Sequence, residues 1–286
     1  MTAPGPLVDL HIHTTASDGS LSPAEVVRAA RAAGLTTVAI TDHDTVAALA
    51  AAFAAAGQES LDLLSGLEIS VDWPGMTMHI LAYGFDPAHP GLLESLEQFR
   101  DHRRDRNRRL LARLAELGMP LEAAAVAAQA GGENISRTHV ARAMVQAGYV
   151  ASTPLAFRHW LARGSPGYVE RRRATPQAAM ATIREAGGLA VLAHPSQLRR
   201  SFAEMKAIVE QLVGWGLEGL EVFHPDHSAD DTRMFGLMAE RLGLIVTGGT
   251  DFHGPLRRGV RLGVGYGSLR VPPECVSQIR QRLATR

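Results

Sequence analysis

The chain of 286 residues holds twelve histidines and one cysteine, and the histidines are not scattered. His11 and His13 form an H-x-H pair at the end of one apolar run, with Asp18 in the loop that follows. Thr41-Asp42-His43 ends a second run, Glu68 lies near the end of a third, and His79 sits on a fourth. His194, His224 and Asp251-Phe252-His253 close three later runs. Alternate residues of a strand share a face. His11 and His13 are therefore expected to point the same way, and so are Asp251 and His253. A single histidine at a strand end reads most simply as a hydrogen-bonded core or loop residue, and a single aspartate as a helix cap. At least nine such groups at the same end of successive strands outrun that reading, because unpaired polar groups are costly to bury. Divalent cations are the simplest compensation. Six imidazoles and three carboxylates are too many for one ion and suit a cluster of two or three Mn²⁺, Zn²⁺ or Fe²⁺ ions. One cysteine excludes a thiolate cluster and an internal disulfide framework.

The elements that must position these groups are short apolar runs alternating with helical stretches. Strands are expected at about 7–13, 36–43, 61–70, 76–85, 188–195, 216–225 and 242–253. Ser22 and Pro23 supply cap and first-turn chemistry for the helix after the first strand. Strand–helix alternation argues for a parallel sheet of βα units. About seven strands suggest a closed (β/α) barrel, in which catalytic groups sit at the C-terminal strand ends. From 92 to 168 there is helical periodicity and no convincing strand, with a break at Gly131-Gly132. The expected organisation is a discontinuous barrel, 1–91 and 169–286, carrying a helical insertion at 92–168.

Composition narrows the classes of partner. Lys+Arg and Asp+Glu both number 29, so the formal charge is zero. Bulk attraction to long duplex nucleic acid or to a membrane is not expected. The N-terminus lacks the charged and apolar regions of a secretory signal. The longest apolar run, 46–57, is shorter than the ~20 residues a bilayer-spanning helix needs. A cytoplasmic location is expected, and no obligate protein partner is evident.

The runs D-L-H-I-H-T-x-x-S-D-G from Asp9, I-T-D-H-D from Ile40, G-L-E from Gly66, the histidine at 79, A-H-P from Ala193 and G-x-D-x-H from Gly249 resemble the polymerase-and-histidinol-phosphatase (PHP) family of phosphoesterases. The resemblance implies a distorted (β/α)₇ barrel with a trinuclear metal site. Carried over residue by residue, it implies the ligand set His11, His13, Asp18, His43, Glu68, His79, His194, Asp251 and His253. By the same analogy His11, His13, Glu68 and Asp251 surround one ion, and Glu68 bridges to a second held by His79 and His194. Asp18, His43 and His253 hold the third. Mn²⁺ is the expected metal, with Zn²⁺ or Fe²⁺ as substitutes. An activated water would attack phosphorus in line, with Asp18 in the catalytic set. His224 or His253 would protonate the leaving oxygen or bind phosphate. Asp9 and Asp42 are either partners that orient imidazoles or structural residues.

Within the family, I-S-R-T-H-V-A at 135–141 and E-V-F-H-P-x-H at 221–227 resemble the branch acting on 3′,5′-nucleoside bisphosphates, which includes 5′–3′ exoribonucleases. The resemblance implies removal of the 3′-phosphate from a small nucleotide, with a related activity on short 5′-phosphorylated oligonucleotides. Arg137 is a candidate phosphate fork, and Arg106, Asn107 and Arg109, on an Arg-rich helix, are candidates for a second phosphate, set against a solvated face of i,i+4 ion pairs. His139 is a substrate contact or a helix cap. Histidinol phosphate is the rival substrate, and a non-catalytic scaffold a second alternative. A carbamylated-lysine amidohydrolase is a third, but Lys206, the only lysine, lies in an expected helix.

Overall fold

The computed structural model describes residues 7–130, 132, 134–255 and 259–286. Gly131, half of the expected break, lies outside them. Seven strands form one sheet in chain order: β1 (Leu7–Ile12), β2 (Leu35–Ile40), β3 (Asp62–Trp73), β4 (Met76–Tyr83), β5 (Leu189–Leu192), β6 (Gly219–Phe223) and β7 (Ile245–Gly248). The sheet closes into a barrel where the segment after β7 returns to β1. Ile12 pairs with Phe252, and His13 N–H donates to the Phe252 carbonyl at 2.8 Å. The helices are α1 (Pro23–Ala32), α2 (Leu49–Glu59), α3 (Pro90–Glu116), α4 (Ala123–Ala127), α5 (Arg137–Gln146), α6 (Thr153–Ala156), α7 (Pro176–Glu185), α8 (Phe202–Gly214), α9 (Ala229–Leu242) and α10 (Glu274–Ala284). A π-turn at Phe157–Leu161 continues α6. Ser22 caps α1 in a full capping box with Glu25, and Pro23 opens the helix, as the sequence predicts.

The sheet is not wholly parallel. β4 runs antiparallel to both β3 and β5. Only Pro74 and Gly75 separate β3 from β4, and Gly75 has φ +79°. Two residues can turn a hairpin, whereas a parallel crossover needs a dozen or more. The reversal decides where His79 sits. Placed opposite Ser70 of β3, it lies in the first half of β4. That half reaches the same mouth as the C-terminal ends of the parallel strands.

A register shift between Asp9 and Ile12 bulges β1 against β2. Val8 and Leu10 join Leu81, Tyr83, Val191 and Ile279 in the apolar cluster that plugs the barrel floor, while Ile12 packs in the other core. A bulge re-aims the side chains that follow it, and His11 and His13 emerge above the plug. The helical segment has its own apolar cluster, centred on Leu110, Leu114, Val140 and Met144. No helix among the described residues is long and apolar enough to cross a membrane.

Backbone closeness at the seam sets a testable constraint. A Cβ on Gly249 would lie 2.3 Å from the His11 backbone nitrogen, whereas one on Gly57, in α2, would meet nothing within 4 Å. Gly249→Ala is expected to destabilise the metal-free fold by about 2 kcal/mol through overpacking. Gly57→Ala is expected to stabilise it by up to ~1 kcal/mol through helix propensity. Urea unfolding of both variants checks the pair; equal effects would contradict the packing account.

Candidate metal centre

One buried carboxylate collects the histidines at the mouth. Glu68 is 1% exposed. Its Oε2 lies 3.5 Å from His11 Nε2, 3.2 Å from His13 Nε2 and 2.9 Å from His43 Nδ1. Its Oε1 lies 2.9 Å from His79 Nδ1 and 3.1 Å from His194 Nε2. Asp251 Oδ1 stands 3.5 and 3.3 Å from the same His11 and His13 nitrogens, and His253 Nε2 stands 3.2 Å from Asp18 Oδ1. All nine carried-over ligands thus meet in one place, in four overlapping groups of three or four.

The chemistry of these atoms fits metal ions. His11 Nε2, His13 Nε2, His43 Nδ1, Asp18 Oδ1 and Glu68 Oε2 are buried without a hydrogen-bond partner. Metal–ligand bonds of about 2.0–2.2 Å at tetrahedral angles separate two ligands by about 3.3–3.6 Å. The His11, His13 and Asp251 spacings match that. The residues therefore suit divalent cations, and the site belongs to a metal-binding barrel.

Charge explains how the site holds together without a cation. Burial works against a charged His13, but the Asp251 and Glu68 carboxylates that face it outweigh burial and push its pKa up to about 10. Burial likewise opposes an ionised Glu68, yet His43, His79 and His11 hold its carboxyl well below the usual range. Burial opposes an ionised Asp18 too, and His253 and His43 hold it well below that range.

The second layer differs from expectation in three places. Asp9 and Asp42 touch no imidazole. Asp9 accepts from the Thr250 and Gly263 amides, each at 2.9 Å, and from the Thr250 hydroxyl at 2.6 Å. Asp42 accepts from the Thr14 amide and hydroxyl and from Ser17. Both brace loop backbone, because two carboxylate oxygens match several adjacent N–H and O–H donors better than one ring. The residue that orients an imidazole is Glu221, which sequence reasoning quoted but did not assign. It is fully buried. Its Oε1 is 2.9 Å from His11 Nδ1, and its Oε2 accepts from the His194 amide at 2.6 Å. The proton on His11 Nδ1 faces Glu221, so Nε2 is the ring atom turned to Glu68 and Asp251. Lastly, Asp251 and His253 lie beyond β7, and Asp251 has φ +50°. Their convergence comes from a left-handed loop, not strand alternation. His194, at φ +26°, is also in strained backbone, as is common where function over-determines geometry.

The candidate acid–base histidines are fixed in opposite tautomers. His253 Nδ1 lies 2.9 Å from the Asp251 carbonyl, which only accepts. Its proton is therefore on Nδ1, and Nε2 offers a lone pair to a metal. The Asp226 amide donates to His224 Nδ1 at 3.1 Å. The neutral His224 ring therefore carries its proton on Nε2, a buried atom without a partner and 3.7 Å from Asp251 Oδ2.

A cavity of about 170 Å³ opens beside His43 and His79, walled by Arg103, Arg106, Arg137, Arg171 and Arg173. Arg103 and Arg171 both bind Asp44, and Arg173 binds Asp72 and Glu170. Arg137 donates to the Leu161 carbonyl at 3.0 Å and stands over Phe157 and Tyr168. Arg106 is 4% exposed. Neither Arg106 nor Arg137 has an ion pair among the described residues. Burial, then the neighbouring Arg103 and Arg137, pull the Arg106 pKa well below the ordinary arginine value.

Two expected substrate contacts are otherwise engaged. His139 Nδ1 accepts from the Ser136 amide at 3.0 Å, completing a capping box on α5; burial pulls its pKa down to about 4. Asn107 lines a different cavity and spends its amide N–H on the Ile135 carbonyl, so it is not placed to meet a phosphate.

The chain is similar in sequence and fold to known proteins. The PHP domain model matches residues 9–151. A 3′,5′-nucleoside bisphosphate phosphatase of Chromobacterium violaceum is 39% identical over 256 residues, 87% of each chain. A 5′-3′ exoribonuclease of Haemophilus influenzae is 35% identical over 247 residues, 86% of this chain and 90% of its own. A metal-dependent phosphoesterase structure from Bifidobacterium adolescentis superposes with a TM-score of 0.86 at 32% identity, covering 99% of both chains. The chain belongs to the PHP domain family.

The His13 shift predicts how metal enters. Its folded pKa is raised from 6.5 to about 10. Its charge therefore stabilises the metal-free fold fully below pH 6.5, and that stabilisation is lost as pH rises through about 10. Near neutral pH, metal uptake must expel this proton. Calorimetric titration of Mn²⁺ into metal-free protein is expected to give heats that vary with buffer ionisation enthalpy. Apparent affinity is also expected to rise with pH. Buffer-independent heats would contradict the assignment.

Proposed function

We propose that the protein is a metal-dependent phosphatase that removes the 3′-phosphate from 3′,5′-nucleoside bisphosphates, with a related 5′–3′ action on short 5′-phosphorylated oligonucleotides. The observation that carries this reading is the adjacency of two anion sites. The histidine–carboxylate cluster adjoins a cavity holding Arg106 and Arg137, which have no ion pair among the described residues. A substrate with two phosphates would fill both. The 39% identity to a 3′,5′-nucleoside bisphosphate phosphatase supports the same choice. A monophosphate such as histidinol phosphate would leave the arginines unmatched.

In this reading the cluster holds three divalent ions, Mn²⁺ by its mixed imidazole–carboxylate set. His11, His13, Glu68 and Asp251 hold one, Glu68, His79 and His194 a second, and Asp18, His43 and His253 a third. When bound, such ions lower the pKa of water and neutralise phosphoryl charge. The chain's own groups do the rest. Asp18, kept ionised by its histidines, accepts a hydrogen bond from the attacking water and aligns it. His253 presents a lone pair and serves as a ligand. His224 donates its Nε2 hydrogen to a phosphoryl or leaving oxygen. As a neutral ring it polarises rather than hands over a proton, and solvent water protonates the leaving group. Arg137, held under the Leu161 carbonyl and against two aromatic rings, offers its remaining N–H groups to the 5′-phosphate beside Arg106. The segment 92–168 carries these arginines as the specificity-determining insertion. The working location is the cytoplasm.

Kinetics on paired substrates test the reading. Arg137→Ala and Arg106→Ala are each expected to lower kcat/KM on adenosine 3′,5′-bisphosphate about 10–100-fold, the worth of a charge-assisted contact. Their effect on adenosine 3′-monophosphate should be much smaller. Equal losses on both substrates would remove the second phosphate site. His224→Ala should lower kcat while leaving bound metal, counted by elemental analysis, unchanged; loss of metal would make His224 a ligand instead.

A further inference from the structure

A second cavity, of about 210 Å³, lies between α3 and the α4–α5 region, and no phosphate contact accounts for it. For scale, an engineered apolar cavity of about 150 Å³ admits benzene. Its walls include Leu111, Val126 and Val140. It shares Arg103 with the arginine cavity, and the chain from Asn134 to Thr138 lines the two in turn. Asn134 also ties it to the metal centre, donating its amide to the His43 carbonyl.

The polar groups there point to one chemistry. Asn107 donates its amide nitrogen to the Ile135 carbonyl at 2.9 Å, and Asn134 donates to a carbonyl likewise. A carbonyl only accepts, so both amides are fixed with NH₂ towards the backbone. The Oδ1 atoms of both are buried with no partner among the described residues, and Asn134 is only 4% exposed. Two unpaired acceptors over an apolar floor repel a phosphate and call for a flat apolar group with N–H donors. Arg100 and Arg108 at the rim are matched by Glu97 and Asp105 of the same helix, which further disfavours an anion. Guanidinium planes at such a rim can stack on a base.

We propose that this cavity is a nucleobase subsite in which Asn107 and Asn134 accept from the exocyclic amino group of adenine, cytosine or guanine. The inference rests on the bisphosphate reading above and deepens it, since uracil lacks the amino group.

The test compares kcat/KM for the 3′,5′-bisphosphates of adenosine, of purine riboside, which is the same ring system without the amine, and of base-free ribose. Wild type is expected to favour adenosine over purine riboside about tenfold, because the analogue leaves a buried acceptor unpaired. Asn107→Leu should bring that ratio near one. Leu111→Trp, which fills the cavity, should raise KM for the adenosine compound relative to the base-free one. Equal turnover of adenosine and purine riboside by wild type overturns the subsite, whatever the variants do. If none of the three is turned over, the bisphosphate reading falls. The base preference is then read from calorimetric Kd values of the two nucleotides, and equal values overturn it.

Discussion

Everything at the mouth of this barrel is arranged around the burial of Glu68. A carboxylate at 1% exposure forfeits its hydration, and only nearby positive charge or strong donors offset that loss. Five imidazoles, from His11, His13, His43, His79 and His194, come within 3.5 Å of its two oxygens. Without cations, shared protons supply the attraction, which is why His13 titrates high and Glu68 low. Divalent cations would take the place of those protons on the same nitrogens. The packing thus already has the spacing that coordination needs, and β3 must hold Glu68 at its centre for any of it to form.

The direction of β4 and the length of α3 are two halves of one solution. Because β4 runs antiparallel, it delivers His79 to the mouth and then leads away, ending at Tyr83 in the apolar floor. The chain must travel back before its insertion can touch the site. Helix α3 has 27 residues, about 40 Å at 1.5 Å per residue. Arg103 and Arg106 lie midway along it, level with the metal centre. Asp44, held ionised beside the site because Arg171 and Arg103 outweigh its burial, pins the helix there. A hairpin of two residues thereby determines which part of α3 stands beside the metal centre.

Much of this was legible in the chain. Strand positions followed from short apolar runs, and the ligands from recurrence of metal-capable residues at their ends. The reversal of β4 was also readable in principle, since five residues between the expected strands leave no room for a crossover. Loop geometry was not. The D-x-H run after β7 looks like strand alternation, but a left-handed Asp251 brings its groups together, and an aspartate, though commoner there than most non-glycine residues, adopts that conformation too seldom to be read from sequence. Glu221 carried a signal that was passed over. An acid inside the apolar run L-E-V-F is expected to be buried with a partner, and that partner is His11. His139 and Asn107 show the converse. Their types suggested phosphate contacts, but the α5 terminus claims His139 Nδ1 and the Ile135 carbonyl claims the Asn107 amide N–H, which leaves Asn107 an acceptor only.

The zero formal charge of the chain hides strong segregation. Carboxylates concentrate under the imidazoles, and arginines concentrate along the wall beside them. Arg103, Arg171 and Arg173 are matched by Asp44, Asp72 and Glu170, while Arg106 and Arg137 are held in place by burial, a carbonyl and aromatic rings. Keeping guanidinium groups close together without counterions costs stability, and the lowered pKa of Arg106 records that cost. Under the proposed function, an anionic group beside Arg106 and Arg137 would remove that cost. Because Arg103, Arg106 and Arg171 are buried and all five arginines line one cavity, their attraction for an anion is confined to it.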